Sequence, residues 1–266
     1  MSKIEIQGLG LTYITGKKEF IALENINTTI NEGKFFCIIG PSGCGKSTLL
    51  SVLEGLIPPT VGQVLIDGVP IKGPGKERAV VFQQYTLFPW MTAKQNVVFG
   101  MKQVRQDLSG RQFETVAEEF LFKVGLSDFM DKLPGELSGG MQQRVAIARA
   151  LSVNPHILLM DEPFGAIDAK TRVTLQELLL KLWAEDREKK TVVFVTHDVD
   201  EALLISDKII FMKPKTVGRE IPVNLPRPRN KESLFDNEEY RRIRAQLVGL
   251  FYHNVIEQIG GEEVVL

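Results

Sequence analysis

Long apolar runs are missing from this chain. No stretch approaches the ~18 consecutive apolar residues that a membrane-crossing helix needs, so helical membrane spans are excluded. The start, Met-Ser-Lys-Ile-Glu-Ile-Gln, lacks the charged and apolar regions of a signal peptide. The expectation is a cytoplasmic protein, held at any membrane where it works by something else. Cysteine is scarce: Cys37 and Cys44 stand in no C-x-x-C or metal spacing, which points to reduced thiols. Charge of one sign is lacking too. Lys plus Arg number 32 against 33 acids, so nothing in the charge balance signals bulk binding to nucleic acid or acidic lipid. No internal repeat or low-complexity segment occurs. What is present is an apolar fraction of 44% over 266 residues, enough for one large domain, or one with a subdomain and a tail.

The richest stretch is Gly40-Pro41-Ser42-Gly43-Cys44-Gly45-Lys46-Ser47-Thr48, which fits the phosphate-loop pattern G-x-x-x-x-G-K-S/T. Phe35–Ile39 before it is an apolar run of strand length, and Thr48–Leu53 after it reads as the start of a helix. Strand, glycine loop and helix are what the chemistry needs. Glycines let successive N–H groups curl around a phosphate, and the helix adds the positive end of its dipole. Lys46 can reach the β- and γ-phosphates, and the Ser47 hydroxyl can ligate Mg²⁺.

Around this loop the chain alternates strand and helix. Strands are expected at 3–13, 21–30, 63–68, 79–82, 157–160, 191–196 and 208–212, with polar turns at 16–19 and 31–33. Thr92 is placed to cap a helix over Ala93–Met101, and apolar residues at 113, 116, 117, 120, 121 and 124 have a helical period. Further helices are expected at 169–190, ending in the charged run Glu185–Lys190, and at Val199–Ile205. The alternation implies a largely parallel sheet covered on both faces. About residues 84–150 read as an inserted helical subdomain. The loop Gln83–Trp90 is apolar and aromatic yet contains Pro89, which suggests a docking surface; the alternative is that Phe88 and Trp90 fold back into the core. Pro226–Arg229 reads as a stiff linker, followed by a helix over Asn237–Ile259 that packs back on the chain; the alternative is a self-association or partner site.

A phosphate loop alone leaves kinases, GTPases and many ATPases open. Four further features narrow the field. Ile157–Met160 delivers Asp161 to a strand end, where it can hold Mg²⁺ or its water; Glu162 follows and can polarise an attacking water. In Leu137-Ser138-Gly139-Gly140, Ser138 is a strong cap and two glycines leave N–H groups open, a second anion site. Because the chain already has one phosphate loop, that site suggests a second protomer's nucleotide. His197, just past a buried strand, can hydrogen-bond a γ-phosphate. Gln83, at its own strand end, can touch metal or water and begins the aromatic loop, a natural relay to a partner.

Together these residues resemble the ATP-binding cassette family over about residues 3–215. Gly40–Thr48 matches Walker A, Gln83 the Q-loop, Leu137–Gln142 the signature, and Asp161 and Glu162 Walker B with its catalytic glutamate. Gly165–Asp168 matches the D-loop, His197 the switch histidine, and Tyr13 the aromatic position that stacks on adenine. Departures are slight: Met141 stands where Gln is usual, with Gln142 next, and Ile167 stands where Leu is usual. The resemblance implies an α/β fold: a P-loop NTPase core with a mostly parallel sheet, an N-terminal antiparallel β part and the inserted helical subdomain, over residues 1–220, with 221–266 as linker and helix on that domain.

It further implies an ATPase using ATP and Mg²⁺ in a dimer with a second copy. One chain would supply Gly40–Thr48, with Ser47, Gln83 and Asp161 for the metal; the other would supply Ser138, Gly139 and Gly140, with Gln142 and Asp168 also counted among the nucleotide-binding residues. Glu162, His197, Lys46 and Gln83 would be the catalytic set. Leu87–Thr92 with Asn96-Val97, the signature stretch Leu137–Arg144, and Val223–Arg229 look like the nitrate, sulfonate, taurine and bicarbonate importer subgroup. That adds membrane permease subunits docked at Gln83–Trp90, an extracytoplasmic solute-binding protein, and a peripheral position on the cytoplasmic side. The rival is a soluble non-transport cassette ATPase of DNA-repair or translation type. Repair-type members carry long coiled-coil insertions, whereas only about 90 residues without sustained heptads separate Walker A from the signature here; translation-type members usually carry two cassettes.

Overall fold

The structure, a computed structural model, describes residues 3–16, 18–229 and 234–260, and of 253–260 it describes the backbone. Along the chain run strands β1 (Ile4–Thr15), β2 (Lys18–Ile30) and β3 (Phe35–Ile39), helix α1 (Lys46–Glu54), and strands β4 (Val61–Ile66), β5 (Val69–Pro70) and β6 (Arg78–Val81). Helices α2 (Ala93–Val104), α3 (Gln112–Lys123) and α4 (Gly139–Ser152) follow. Then come β7 (Ile157–Asp161), α5 (Ala169–Glu185), β8 (Thr191–Val195), α6 (Val199–Ile205), β9 (Lys208–Lys213), β10 (Thr216–Pro222) and α7 (Glu238–Gly260). The chain divides into two compact units: Pro74–Val192, and Lys3–Gly73 with the chain from Val193 onward. No helix among the described residues is long and apolar enough to cross a membrane.

The unit containing Lys3–Gly73 holds an antiparallel sheet in the order β2-β1-β4-β5. Burial alternates over Ile4–Gln7 of β1 and Ile26–Ile30 of β2, as a sheet with one wet face requires. Beside it, β3 runs parallel to β9, and β9 pairs antiparallel with β10. All five residues of β3 are buried, each contributing about 1.5–3 kcal/mol through its side chain. That burial anchors the loop that follows. The strand β10 had no counterpart in the sequence reading. Gly218 interrupts its apolar pattern, and a register shift between Val217 and Arg219 accommodates it.

Pro226–Arg229 is a strap where a spacer was expected. Arg227 donates to Asp207 Oδ1 at 3.1 Å and to the Ile205 carbonyl at 2.5 Å. Arg229, 7% exposed, donates to the carbonyls of Leu203, Ser206, Val223 and Leu225. Burial pushes its guanidinium down to about 10. The helix α7 buries Tyr240, Ile243 and Leu247 and sets the Phe251 ring edge-on to Phe211, centroids 5.1 Å apart. The apolar positions 255 and 259 lie outside the described side chains, and Lys17 of the expected turn at 16–19 lies outside the described residues.

In the unit Pro74–Val192, β6 and β7 pair in parallel from Arg78↔Ile157 to Val81↔Met160. Helix α4 packs against β6, α2, α3 and α5, which is why it buries Val145, Ala146, Ile147, Ala148, Ala150 and Leu151. Thr92 caps α2 as expected and forms a full capping box: its hydroxyl accepts from Gln95 N, and Gln95 Oε1 accepts from Thr92 N. Helix α5 stops at Glu185, five residues short of expectation. The Trp183 indole donates to the Lys190 carbonyl at 2.8 Å, and Lys190, 6% exposed, pairs with Asp186 at 2.7 Å. The run reads as a solvated helix face, yet its last lysine folds in beneath the tryptophan.

Candidate functional site

The phosphate loop leaves the buried end of β3 and closes at the first turn of α1. Its glycines are required by close approach. A Cβ at Gly40 would stand 2.4 Å from the Met212 carbonyl oxygen. At Gly45, where φ is +107°, it would meet Leu23 Cδ2 at 2.8 Å and the Ala22 carbonyl oxygen at 2.9 Å. Lys46 is buried, and its ammonium donates to the carbonyls of Gly40 and Pro41 at 2.9 and 3.0 Å. The cation is thereby held across the loop by the loop's own acceptors. Ser42, Gly43 and Ser47 are exposed, and Thr48 is half-buried.

Cys44 is buried, and that burial pushes its thiol up. Its carbonyl accepts from Lys215 N at 3.1 Å, while the Lys215 carbonyl accepts from Glu24 N at 2.7 Å. The β9–β10 turn thus straps the loop to β2, a contact with no sequence signal.

His197 is exposed just past β8. Thr196 N donates to the Ile38 carbonyl at 3.2 Å, so β8 ends beside β3 and the histidine shares the sheet edge with Gly40. Asp198 caps α6, accepting from Asp200 N and Glu201 N at 2.9 and 3.0 Å. Tyr13 lies on the β1–β2 ribbon, opposite Phe20 in register and on the same face. Both rings are exposed, at 37% and 60%.

In the other unit, the parallel register of β6 and β7 brings Gln83, Asp161 and Glu162 to one strand-end edge. Glu162 has φ +41°, a left-handed conformation unusual for a residue with a side chain. Backbone strain of this kind costs about 1–3 kcal/mol and collects at functional sites. The turn re-aims the carboxylate: a Cβ at Gly165 would stand 3.7 Å from Glu162 Oε2 and 3.5 Å from Gln83 Nε2. Among the described residues no cluster of three His, Cys, Asp or Glu side chains gathers for a metal. Gln83 and Asp161 offer an amide oxygen and a carboxylate, hard donors that suit Mg²⁺ when phosphate and water complete its shell.

The signature, the Q-loop and the D-loop cluster in this same unit. Ser138 caps α4, accepting from Met141 N at 3.3 Å. A Cβ at Gly139 would stand 2.8 Å from the Tyr85 hydroxyl, and one at Gly140 2.4 Å from Thr171 Cγ2. A side chain at either position would have to displace Tyr85 or Thr171. Asp168 caps α5 by accepting from Thr171 N at 3.0 Å, which holds its carboxyl below the usual range. Gln142 turns back on its own chain, its amide donating to the Leu137 carbonyl at 3.1 Å.

Two residues to which the sequence assigns no part in holding the aromatic loop, Arg149 and Asn96, hold it. Arg149 donates to the carbonyls of Tyr85 and Thr86. Asn96, fully buried, donates to the carbonyls of Phe88, Met91 and Thr92 and accepts from Phe88 N. Phe88 is half-buried against Phe99, centroids 4.6 Å apart, while Trp90 remains 71% exposed. Trp90 is thus displayed outside the core.

Comparison with known proteins identifies the family. The ABC transporter family model matches residues 23–165. The nitrate import ATP-binding protein NrtD of Synechococcus elongatus is 43% identical over 92% of this chain and 89% of its own. The bicarbonate transport ATP-binding protein CmpD of Synechocystis sp. is 42% identical over 94% and 89%. The nitrate transport protein NasD of Klebsiella oxytoca is 45% identical over 94% and 96%. Among solved structures, the ATP-binding cassette MJ0796, a dimer in a post-hydrolysis state with ADP and Pi, is 39% identical with TM-score 0.74, covering 84% of this chain and all of that one. A family match over more than half of the chain and these relatives along nearly its whole length show that the chain is an ATP-hydrolysing cassette and belongs to the ABC transporter family.

Proposed function

We propose that this chain is the ATP-hydrolysing subunit of an importer for a small anion such as nitrate, bicarbonate or a sulfonate like taurine. It works on the cytoplasmic face of the membrane with separate permease subunits and an extracytoplasmic solute-binding protein. The observation that carries the anion reading is similarity to nitrate and bicarbonate transport proteins along nearly the whole chain. The loop that displays Trp90, pinned by Asn96 and Arg149, supports permease docking there.

Two copies sandwich two ATP molecules, each between Gly40–Thr48 of one copy and Ser138–Gly140 of the other. Ser47, Gln83 and Asp161 hold Mg²⁺, which neutralises phosphate charge when bound. Tyr13 stacks on adenine. Glu162 orients or deprotonates water, and Lys46, His197 and the loop amides stabilise charge on the transferring phosphoryl group. Lys46 exchanges its two carbonyl acceptors for phosphate oxygens, which keeps the ammonium paired throughout.

The test is Glu162→Gln. It removes the base and keeps the shape, so turnover falls by about 10²–10³ while ATP binding persists and a dimer accumulates. Wild-type turnover in this variant rules out the assigned base. For the solute, ATPase of the complex with its co-purified permease is measured with nitrate, bicarbonate and taurine at the binding protein. Stimulation by none of them removes the anion reading.

A further inference from the structure

His197 stands between two anchors, and the second comes from the C-terminal helix. On one side Thr196 N is bonded to the Ile38 carbonyl of β3, the strand that ends in the phosphate loop. On the other, Asp198 N donates to Thr196 Oγ1 at 3.1 Å, and Asp198 Oδ1 accepts from Asp200 N at 2.9 Å. Asp200 is then gripped from α7. The Tyr240 hydroxyl donates to Asp200 Oδ1 at 2.7 Å, and Arg244 Nε donates to the same oxygen at 2.7 Å.

The grip is more than α7 needs for attachment. Ile243 and Leu247 are fully buried, and Phe251 packs on Phe211, so apolar contacts already seat the helix. The ion pair is half-exposed, with side-chain exposures of 46% for Arg244 and 35% for Asp200, and such pairs contribute little to stability. What the pair adds, together with the Tyr240 hydroxyl, is a fixed position for one carboxylate in the first turn of α6, three residues past His197.

We infer that Tyr240 and Arg244, acting through Asp200, are positioning residues that hold His197 in register with the phosphate loop. The inference rests on the reading of His197 as a γ-phosphate ligand given above. It also gives the C-terminal helix a part in hydrolysis, since moving α7 moves the grip. A positioned group displaced by a fraction of its bond length loses rate while substrate binding through other contacts persists.

The experiment compares Tyr240→Phe/Arg244→Gln with His197→Ala, and both together, in the full-length chain, measuring kcat, KM for ATP and Tm. The expected result is a fall in kcat of about tenfold with KM for ATP and Tm near wild type, recovery with Arg244→Lys, and no further loss when His197 is already Ala. If His197→Ala lowers kcat but the grip variant does not, Tyr240 and Arg244 merely anchor the helix and the inference falls. An equal, additive loss in both backgrounds also overturns it. If His197→Ala leaves kcat unchanged, the reading of His197 fails and the inference falls with it. Should the double variant unfold, Tyr240→Phe alone decides by the same readouts, since its ring still packs edge-on against Phe235, centroids 5.7 Å apart.

Discussion

Gly45 illustrates how one residue carries two demands. Its φ of +107° is open to glycine, and the space where a side chain would go is filled by Leu23 and the Ala22 carbonyl. Gly45→Ala must therefore strain the backbone, by about 1–3 kcal/mol, and push β2 away from the loop. The expected outcome is a fold that persists with nucleotide affinity down by about 10- to 100-fold, following that strain energy; titration of the purified chain with a fluorescent ATP analogue checks it. Unchanged affinity would mean that the loop binds nucleotide in a different conformation. The pattern G-x-x-x-x-G-K-S/T makes this glycine legible, because motif spacing records the chemistry. Other residue-scale facts leave no such trace. The positive φ of Glu162 and the return of Lys46 to the Gly40 and Pro41 carbonyls, six and five residues back, follow from folded geometry that no residue type announces. So does the Tyr85 hydroxyl against Gly139.

Among the elements, those whose evidence is local were readable. Five consecutive apolar residues identify β3, and the four that follow Thr191 identify β8, as buried strands, and Thr92 announces α2. The strand β10 and the early end of α5 were not readable, because a glycine interrupts one pattern and Trp183 draws Lys190 inward. The aromatic loop was legible as unusual, but its rigidity was not. That rigidity comes from Asn96, a residue whose buried amide satisfies three loop carbonyls and one N–H. Asn96→Ala strips the amide from the part-buried Met91 carbonyl and Phe88 N–H, while the Phe88 and Thr92 carbonyls keep the backbone N–H groups of Met91 and position 96; the loss is about 1–3 kcal/mol. Urea unfolding should show that loss, and hydrogen exchange should show faster opening of residues 86–92. An unfolding curve superimposable on wild type would mean that water replaces the amide and that the loop is not held by it.

For the molecule as a whole, the unresolved step is how a capped helix N-terminus serves a nucleotide when the chain already has a phosphate loop. Ser138 uses its hydroxyl on Met141 N, which satisfies that donor and leaves the Gly139 and Gly140 N–H groups at the start of α4 without intrahelical acceptors and suited to an anion. If that anion is the γ-phosphate held by a second copy, the helix end matters to assembly before it matters to affinity. A two-fold pair makes the contact twice, so one substitution breaks both sites. Ser138→Arg, placed with Glu162→Gln to stop turnover, should bind Mg-ATP as a monomer and fail to dimerise, because the guanidinium occupies the space that the partner's nucleotide would enter. Light scattering with and without ATP distinguishes the cases. The Glu162→Gln parent should double its mass with ATP, and the Ser138→Arg derivative should not. A derivative that still dimerises would place the second phosphate contact elsewhere on the partner. One that loses nucleotide binding as a monomer would mean that Ser138 serves its own chain's ATP, and the shared-site arrangement would be wrong.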